Sequence, residues 1–89
     1  MIVFQFKEPA RLDLSIIIVS FNTRDVLLDC LTSVYAKTEG ISYEVIVVDN
    51  ASSDDTPDFV AEKFPDVHLI RNDVNKGFSA ANNQGICES

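Results

Sequence analysis

The stretch EVIVVDNASSDDT, residues Glu44–Thr56, decides the fold because its apolar run ends at one aspartate and passes directly into small polar residues. The apolar part is β-branched and continuous rather than alternating, which is typical of a parallel strand that is covered on both faces. A buried strand can end in a polar turn without any function. Alternatively, the strand delivers Asp49 to the carboxyl end of a sheet, where a ligand binds.

Two further apolar runs flank this stretch, SIIIV at residues 15–19 and the weaker VHLIR at residues 67–71. Segments with apolar residues at helical spacing lie between the runs, and another helical segment, residues 78–89, follows the last one. Alternation of this kind implies right-handed crossovers and a parallel sheet. We therefore predict an α/β fold, a Rossmann-like three-layer sandwich with a mainly parallel sheet in the order β-α-β-α-β-α. Residues 1–14 are predicted to be an N-terminal arm or an edge strand, and residues 15–89 to be the domain.

Capping residues predict the limits of the first two helices. Asn22 or Thr23 is a natural N-cap for the first helix, and Gly40 is a typical terminator. Pro57 suits the first turn of the second helix, and Pro65 stops that helix.

The composition is that of one small globular domain. The 89 residues are 46% hydrophobic and 24% charged, with a net charge of −7. This charge argues against nucleic acid as a partner, because recognition of a phosphate backbone relies on clustered lysine and arginine. It does not exclude a nucleotide, whose phosphates can be held by backbone amides and a metal ion.

The two cysteines and the N-terminus indicate the compartment. Cys30 and Cys87 lack the spacing of a metal or redox motif, and Cys30 lies on the apolar stripe of the first helix, so we expect a buried free thiol in a reducing compartment. The first 15 residues lack the features of a signal peptide, and the longest apolar run, Ile16–Val19, is too short to span a bilayer. We expect a soluble, cytoplasmic protein, with the inner face of the membrane as an alternative location for a longer form.

All three predicted strands end in short polar side chains, in VSFN at residues 19–22, VDNAS at residues 48–52 and RNDVNKG at residues 71–77. Ligands of open parallel sheets bind beyond these carboxyl ends. Phe21 could face a flat ring, and Asp49 could accept hydrogen bonds from a base edge or a ribose hydroxyl. Short polar groups at helix starts also suit an anionic ligand.

The same residues also have structural explanations. Asn22 and Ser52 can be helix caps, and Asn75 and Gly77 can simply supply a turn with positive φ. Asp49 differs, because it directly ends a buried strand beside two other polar strand ends, and this favours a functional role.

Three motifs together, SIIIVSFNTRDVLLDCLTSV (15–34), EVIVVDNASSDDT (44–56) and NKGFSAANNQG (75–85), resemble the start of a family 2 glycosyltransferase. Their order and distances are similar to those of the bacterial rhamnosyltransferase-like branch, and the resemblance covers about Ser15–Ile86. It implies a GT-A fold, of which this chain is an incomplete nucleotide-binding half. It also implies a nucleoside-diphosphate sugar, UDP- or dTDP-linked, as the donor.

The resemblance further implies where the nucleotide binds. The end of the first predicted strand would border the base, and Asp49 would contact the base or the ribose. Asn75, Gly77 and Asn82 would lie near the ribose and the pyrophosphate. The nucleotide-binding residues implied in this way are Val19, Ser20, Phe21, Asn22, Asp49, Asn50, Ser52, Asn75, Gly77 and Asn82.

The sequence departs from the family in what it lacks. Members continue to a strand that ends in an Asp-x-Asp-type motif, which holds Mg²⁺ or Mn²⁺ on the pyrophosphate, and later to an acidic general base. Neither occurs before Ser89, and the adjacent acids Asp54 and Asp55 lie at a helix start instead. We therefore expect the N-terminal part of a glycosyltransferase, with no catalytic residue, no metal ligand and no activity of its own.

The longer protein is expected to transfer a sugar, with rhamnose as one candidate, to a glycan acceptor in cell-surface polysaccharide synthesis. A non-catalytic nucleotide-binding or regulatory module is the alternative. A phosphoacceptor signalling domain shares the architecture, but it would need acidic residues at the end of the first strand, which reads SFN at residues 20–22. Absence of the later strands would leave a sheet edge exposed, so self-association is expected.

Overall fold

The computed structural model of the protein describes residues 2–6, as a strand, and residues 14–89. Residues 1 and 7–13 of the predicted N-terminal arm lie outside the described residues. The elements in chain order are β1 (Ile2–Phe6), β2 (Leu14–Ser20), α1 (Arg24–Lys37), β3 (Tyr43–Asp49), α2 (Thr56–Lys63), β4 (His68–Arg71) and α3 (Phe78–Glu88). Within the described ranges, no helix combines the length and apolar character needed to cross a membrane. The predicted alternation of three strands and three helices is confirmed from β2 onward.

The strands form one sheet in the order β1-β2-β3-β4. β2, β3 and β4 run parallel, whereas β1 pairs antiparallel with β2. The register sets Ser20 beside Asp49 and Asp49 beside Arg71, so the carboxyl ends of the parallel strands meet in one row. We call this region the rim and define it as residues 20–23, 49–55 and 71–77.

Alternate residues of β2 and β3 face opposite sides of the sheet, and helices cover both sides. The core on the side of α1 and α2 contains Leu14, Ile16, Ile18, Leu27, Leu31, Val45, Val47 and Val60. The core on the side of α3 contains Ile17, Ile46, Val48 and Ala81. Strands that supply two cores need apolar residues at successive positions, which explains the continuous runs in the sequence. The predicted three-layer α/β sandwich is therefore confirmed.

α3 lies close to the sheet because it carries Gly85 where it passes over β2. A β-carbon at this position would collide with the side chain of Ile17, which is fully buried. Glycine inside a helix costs about 1 kcal/mol relative to alanine, so the close packing of α3 on the sheet comes with a loss of helix propensity at this position. The close contact fixes α3, and with it the loop that leads from β4 into the helix.

Most of the predicted helix limits are confirmed. Thr23 is the N-cap of α1, and α2 carries proline in its first turn and ends before Pro65. The predicted role of Gly40 as the terminator of α1 is wrong. The helix already ends at Lys37, because Thr38 takes an extended backbone with φ −94° and ψ 106°, and Gly40 lies farther along in the loop with φ 80°.

Candidate functional site

Asp49 is the buried centre of the rim. Only 2% of its surface is exposed. Its carboxylate accepts hydrogen bonds from Ser20 Oγ at 3.0 Å, from the Ser52 backbone N–H at 3.0 Å and from Ser52 Oγ. A buried carboxylate requires such donors, because the loss of water is otherwise costly. The serines of the rim therefore satisfy Asp49, and the three residues form one unit that joins β2 to the loop after β3.

Asn22 connects the loop after β2 to the loop after β3. Its backbone N–H donates to Ser52 Oγ at 2.9 Å, and its Oδ1 accepts from the Ser53 N–H at 2.7 Å. The backbone of Asn22 has φ 49°, in the left-handed region that asparagine tolerates better than most residues. Because Thr23 is the N-cap of α1 and Asp55 that of α2, the alternative roles of Asn22 and Ser52 as helix caps are wrong.

Asn50 connects the end of β3 to the loop before α3. Its side chain is almost completely buried, with 3% of the residue exposed. The Nδ2 group donates to the Gly77 carbonyl at 3.1 Å, and Oδ1 accepts from Asn72 Nδ2 at 3.0 Å and from the Lys76 N–H at 3.3 Å. The Asn50 backbone N–H donates to the Ser20 carbonyl at 2.8 Å. One amide side chain therefore holds three residues of the 72–77 loop.

Asn72 and Gln84 complete this network, although neither was predicted to be a site residue. Their amides donate to each other, Asn72 Nδ2 to Gln84 Oε1 at 2.8 Å and Gln84 Nε2 to Asn72 Oδ1 at 2.9 Å. Both residues lie inside motifs that were recognised, RNDVNKG and NNQG. Asn72 begins the loop and Gln84 lies in the second turn of α3. The sequence signal for their pairing was therefore an amide residue at each end of this segment.

The segment that enters α3 contains the other predicted residues. Asn75 Oδ1 accepts from the Gly77 N–H at 2.9 Å, which closes a tight turn. Gly77 is the N-cap of α3, and its φ of 80° and ψ of 168° are disfavoured for residues with a β-carbon. Asn82 lies in the second turn of α3, and its buried Oδ1 has no hydrogen-bond partner among the described residues. An acceptor in this state suits a hydroxyl or amide donor from a ligand.

A cavity of about 290 Å³ opens beside the end of β2. Phe21 stands at it with 45% of its surface exposed, and Val19 is half-buried against the α3 core. Cys30 also lines the cavity as a half-buried free thiol, and burial raises its pKa. The lining residues are Ile18, Val19, Ser20, Phe21, Thr23, Val26, Leu27 and Cys30. The cavity combines an apolar wall with one exposed aromatic ring.

A second rim cavity, of about 430 Å³, is charged. Arg24 contacts Asp25 at 3.1 Å and Asp55 at 3.1 Å, and these carboxylates raise the pKa of its guanidinium. Asp54 accepts hydrogen bonds from the hydroxyl and the N–H of Thr56, and these bonds lower the pKa of Asp54. The acids therefore have local partners. The lining residues are Asn22, Thr23, Arg24, Asp25, Val26, Asp54 and Asp55.

The described residues do not fit the divalent metal that the resemblance implies for a longer protein. Across residues 14–89 and the strand β1, no group of three or more histidine, cysteine or acidic side chains could hold a metal ion. Asp54 and Asp55 are directed instead to Thr56 and Arg24.

Hydrogen bonds bring seven of the ten predicted site residues together in one network. Those seven are Ser20, Asn22, Asp49, Asn50, Ser52, Asn75 and Gly77. The other three predicted residues are Val19, Phe21 and Asn82. Binding of a nucleotide by any of the ten stays a prediction, because the bonds within the network show proximity and not a ligand.

Comparison with known proteins gives one family. The family model described as "Glycosyl transferase family 2" matches residues 15–89. The succinoglycan biosynthesis protein ExoO of Rhizobium meliloti (strain 1021) is 39% identical over 75 residues, which cover 83% of this chain and 21% of that protein.

Two further relatives extend the comparison. The dolichol-phosphate mannosyltransferase of Pyrococcus furiosus is 35% identical over 78 residues, which cover 84% of this chain and 22% of that protein. The glycosyltransferase AglE of Haloferax volcanii is 34% identical over 79 residues, which cover 84% of this chain and 26% of that protein. The chain thus spans between 21% and 26% of the length of these three curated relatives.

Proposed function

The chain belongs to glycosyl transferase family 2, and we propose that it is the nucleotide-sugar-binding part of an enzyme that transfers a sugar to a glycan acceptor. Family membership supports sugar transfer as the class of reaction. The names of the relatives support it as well, since two are glycosyltransferases and one acts in succinoglycan biosynthesis. We propose a cell-surface polysaccharide as the product. Rhamnose is the first donor sugar to test, because the motifs resemble the rhamnosyltransferase-like branch.

The observation that carries the proposal is the hydrogen-bonded rim. It joins the ends of β2 and β3 to the loop before α3, at the side of a parallel sheet where ligands of such folds bind. Asp49 and Asn50 hold this region from inside, so its backbone groups are fixed before a ligand arrives. A preorganised site of this kind binds with a smaller loss of conformational entropy.

We assign the parts of a nucleoside diphosphate to separate groups at the rim and on α3. The exposed ring of Phe21, beside the 290 Å³ cavity, suits a stacked pyrimidine. Asp49 Oδ2 accepts one described hydrogen bond, which leaves an acceptor position for the base or the ribose. The unpartnered Oδ1 of Asn82 suits a ribose hydroxyl. Lys76, in the loop before α3, offers positive charge to the diphosphate, and the start of α3 adds the positive end of the helix dipole.

The donor is proposed to be UDP- or dTDP-linked, because one carboxylate can hydrogen-bond either pyrimidine. Mg²⁺ or Mn²⁺ is proposed for a longer protein only, since the described residues lack the ligands for it. This chain alone is proposed to bind and not to transfer. For location we propose the cytoplasm, or the inner face of the membrane for a longer form, because the donor is a water-soluble nucleotide.

We also propose that copies of the chain associate through β4. β4 is the last strand in the described sheet order, and an edge strand offers unpaired N–H and C=O groups to another strand. Sedimentation at increasing concentration is expected to detect a dimer. A clean monomer at the highest concentration would contradict this part of the proposal.

The test of nucleotide binding is titration of the ¹⁵N-labelled chain with UDP and with dTDP, followed by NMR. Saturable shifts are expected at the amides of the rim. Phe21→Ala should weaken binding roughly 5- to 150-fold, because stacking of one base on an aromatic ring is worth about 1–3 kcal/mol. Ile41→Ala is the matched control, because Ile41 is 43% exposed but precedes β3, at the opposite end of the sheet.

Two results would reject the nucleotide proposal. One is the absence of saturable shifts at millimolar nucleotide with a chain that is folded. The other is an equal loss of affinity in Phe21→Ala and Ile41→Ala, which would indicate contact that is not specific to the rim. Binding in this chain without transfer by a longer protein would favour the non-catalytic nucleotide-binding module.

A further inference from the structure

Side-chain amides, rather than apolar contacts, hold the loop between β4 and α3 in place. Val74 in this loop is 62% exposed, and Asn75, Lys76 and Gly77 are exposed as well. Three amide residues, Asn50, Asn72 and Gln84, connect the loop to β3 and to α3. We call these three residues the amide clamp.

The hydrogen bonds of the amide clamp fix the orientation of every amide in it. Asn72 Nδ2 uses both of its hydrogens, one to Asn50 Oδ1 at 3.0 Å and one to Gln84 Oε1 at 2.8 Å. Asn72 Oδ1 accepts from Gln84 Nε2 at 2.9 Å. A rotated Asn72 amide would turn its oxygen toward Asn50 Oδ1, which already accepts the Lys76 N–H, so Asn50 and Gln84 together fix the orientation in which Asn72 donates to Asn50.

Asn72 is also attached to the sheet through its backbone. Its N–H donates to the Asp49 carbonyl at 2.9 Å, which extends the pairing of β3 and β4 by one step. The side chain of Gln84 comes from the second turn of α3. The clamp therefore connects a fixed strand end to a fixed helix, and the loop between them has little freedom to move.

We propose that Asn72 and Gln84 are positioning residues, whose paired amides orient Asn50 and thereby hold Lys76 and Gly77 where a diphosphate binds. This inference rests on the proposed function. Asn50 Oδ1 accepts the Lys76 N–H, and Asn50 Nδ2 donates to the Gly77 carbonyl. Loss of the clamp releases both residues from one support. Phe21 lies on the loop after β2 and not on the loop that the clamp holds, so its own contacts are expected to stay the same.

The position of the clamp predicts which part of the ligand it affects. The groups that suit a diphosphate lie on the loop that the clamp holds, whereas the ring that suits the base lies after β2. A clamp variant should therefore weaken binding of UDP and leave binding of uridine unchanged. General destabilisation of the chain would weaken both ligands alike, so the pair of ligands separates positioning from a merely structural role.

The variant for the test is Gln84→Met, which removes both hydrogen bonds to Asn72 and keeps the size and helix propensity of the side chain. Asn83→Met is the matched control, because Asn83 is an exposed amide on the same helix. UDP affinity is expected to fall about tenfold in Gln84→Met, as for the loss of one or two net hydrogen bonds.

Amide hydrogen exchange gives a second readout that does not require a ligand. Exchange at the Lys76 N–H should be about tenfold faster in Gln84→Met, whereas exchange in the centre of β3 should match the unmodified chain. Equal changes for UDP and uridine, or unchanged affinity together with unchanged exchange, would overturn the inference. If the unmodified chain binds no UDP, the proposed function fails, and unchanged exchange at Lys76 then overturns the clamp independently.

Discussion

Asp49→Asn tests whether the carboxylate at the end of β3 organises the rim. The substitution keeps the size of the side chain and replaces one oxygen with an NH₂ group. In the protein, Oδ1 accepts from two serine hydroxyls and Oδ2 accepts from the Ser52 N–H. The asparagine oxygen can still accept from the hydroxyls. Its NH₂ group would then face the Ser52 N–H, so two donors would oppose each other.

The expected magnitude follows from the balance of two terms. A hydrogen bond to a charged acceptor contributes about 1.5–3 kcal/mol to stability. Asp49→Asn loses this contribution and leaves the Ser52 N–H without an acceptor. Removal of a buried charge offsets part of this loss, because Asp49 is almost completely desolvated. We expect the free energy of unfolding to fall by about 1–3 kcal/mol. That is a large fraction for a small domain, whose stability is about 0.05–0.15 kcal/mol per residue.

Urea denaturation at neutral pH measures the change, and Asp29→Asn is the control at an exposed position of α1. A double-mutant cycle with Ser52→Ala isolates the side-chain part and should give a coupling of about 0.5–3 kcal/mol. Asp49→Asn with a stability within about 0.5 kcal/mol of the unmodified chain, as for an ordinary surface site, would refute the role of the carboxylate.

Two other predictions concern packing and charge. Gly85→Ala should destabilise the chain by about 1–3 kcal/mol, because the new methyl group meets the side chain of Ile17. Calorimetry should detect a smaller loss of stability when Ile17→Ala is already present. An additive double mutant would contradict this contact. Thr56→Val should raise the pKa of Asp54 in a ¹³C NMR titration, because the hydroxyl is the main cause of its lowered pKa. The stabilisation linked to Asp54 is present above its ordinary pKa and is lost as the pH falls through the lowered folded-state pKa. An unchanged titration of Asp54 in Thr56→Val would contradict the role of the Thr56 hydroxyl.

The sequence was sufficient to predict the fold because the fold follows from patterns of near neighbours. Ile16 and Ile17 are successive residues that enter opposite cores, and a run of such residues indicates a strand covered on both faces. The failure at Gly40 has the same local origin. A glycine in a loop is compatible with several helix ends, and the extended backbone of Thr38 ended α1 first.

Prediction of the site was less complete, because its hydrogen bonds join residues that are far apart in the sequence. Judged from its neighbours in the sequence, Asn22 resembles a helix cap. Its side chain instead accepts a hydrogen bond from Ser53, which is 31 positions away. Asn72 and Gln84 are ordinary polar residues until the loop folds back against α3. Such partners depend on tertiary contacts, so propensities and spacing alone do not identify them.

The burial of Asp49 limits how strongly the rim can select a nucleoside. A ligand that bonds to Asp49 must either use the remaining acceptor position on Oδ2 or displace the hydroxyl of Ser52. Displacement exchanges one hydrogen bond for another, so its net contribution to affinity is small. Stacking on Phe21 tolerates any base, because every base offers a flat face. Selectivity between pyrimidines therefore has to come from fixed backbone groups, and the hydrogen bonds of Asp49 and Asn50 are what fix those groups in place.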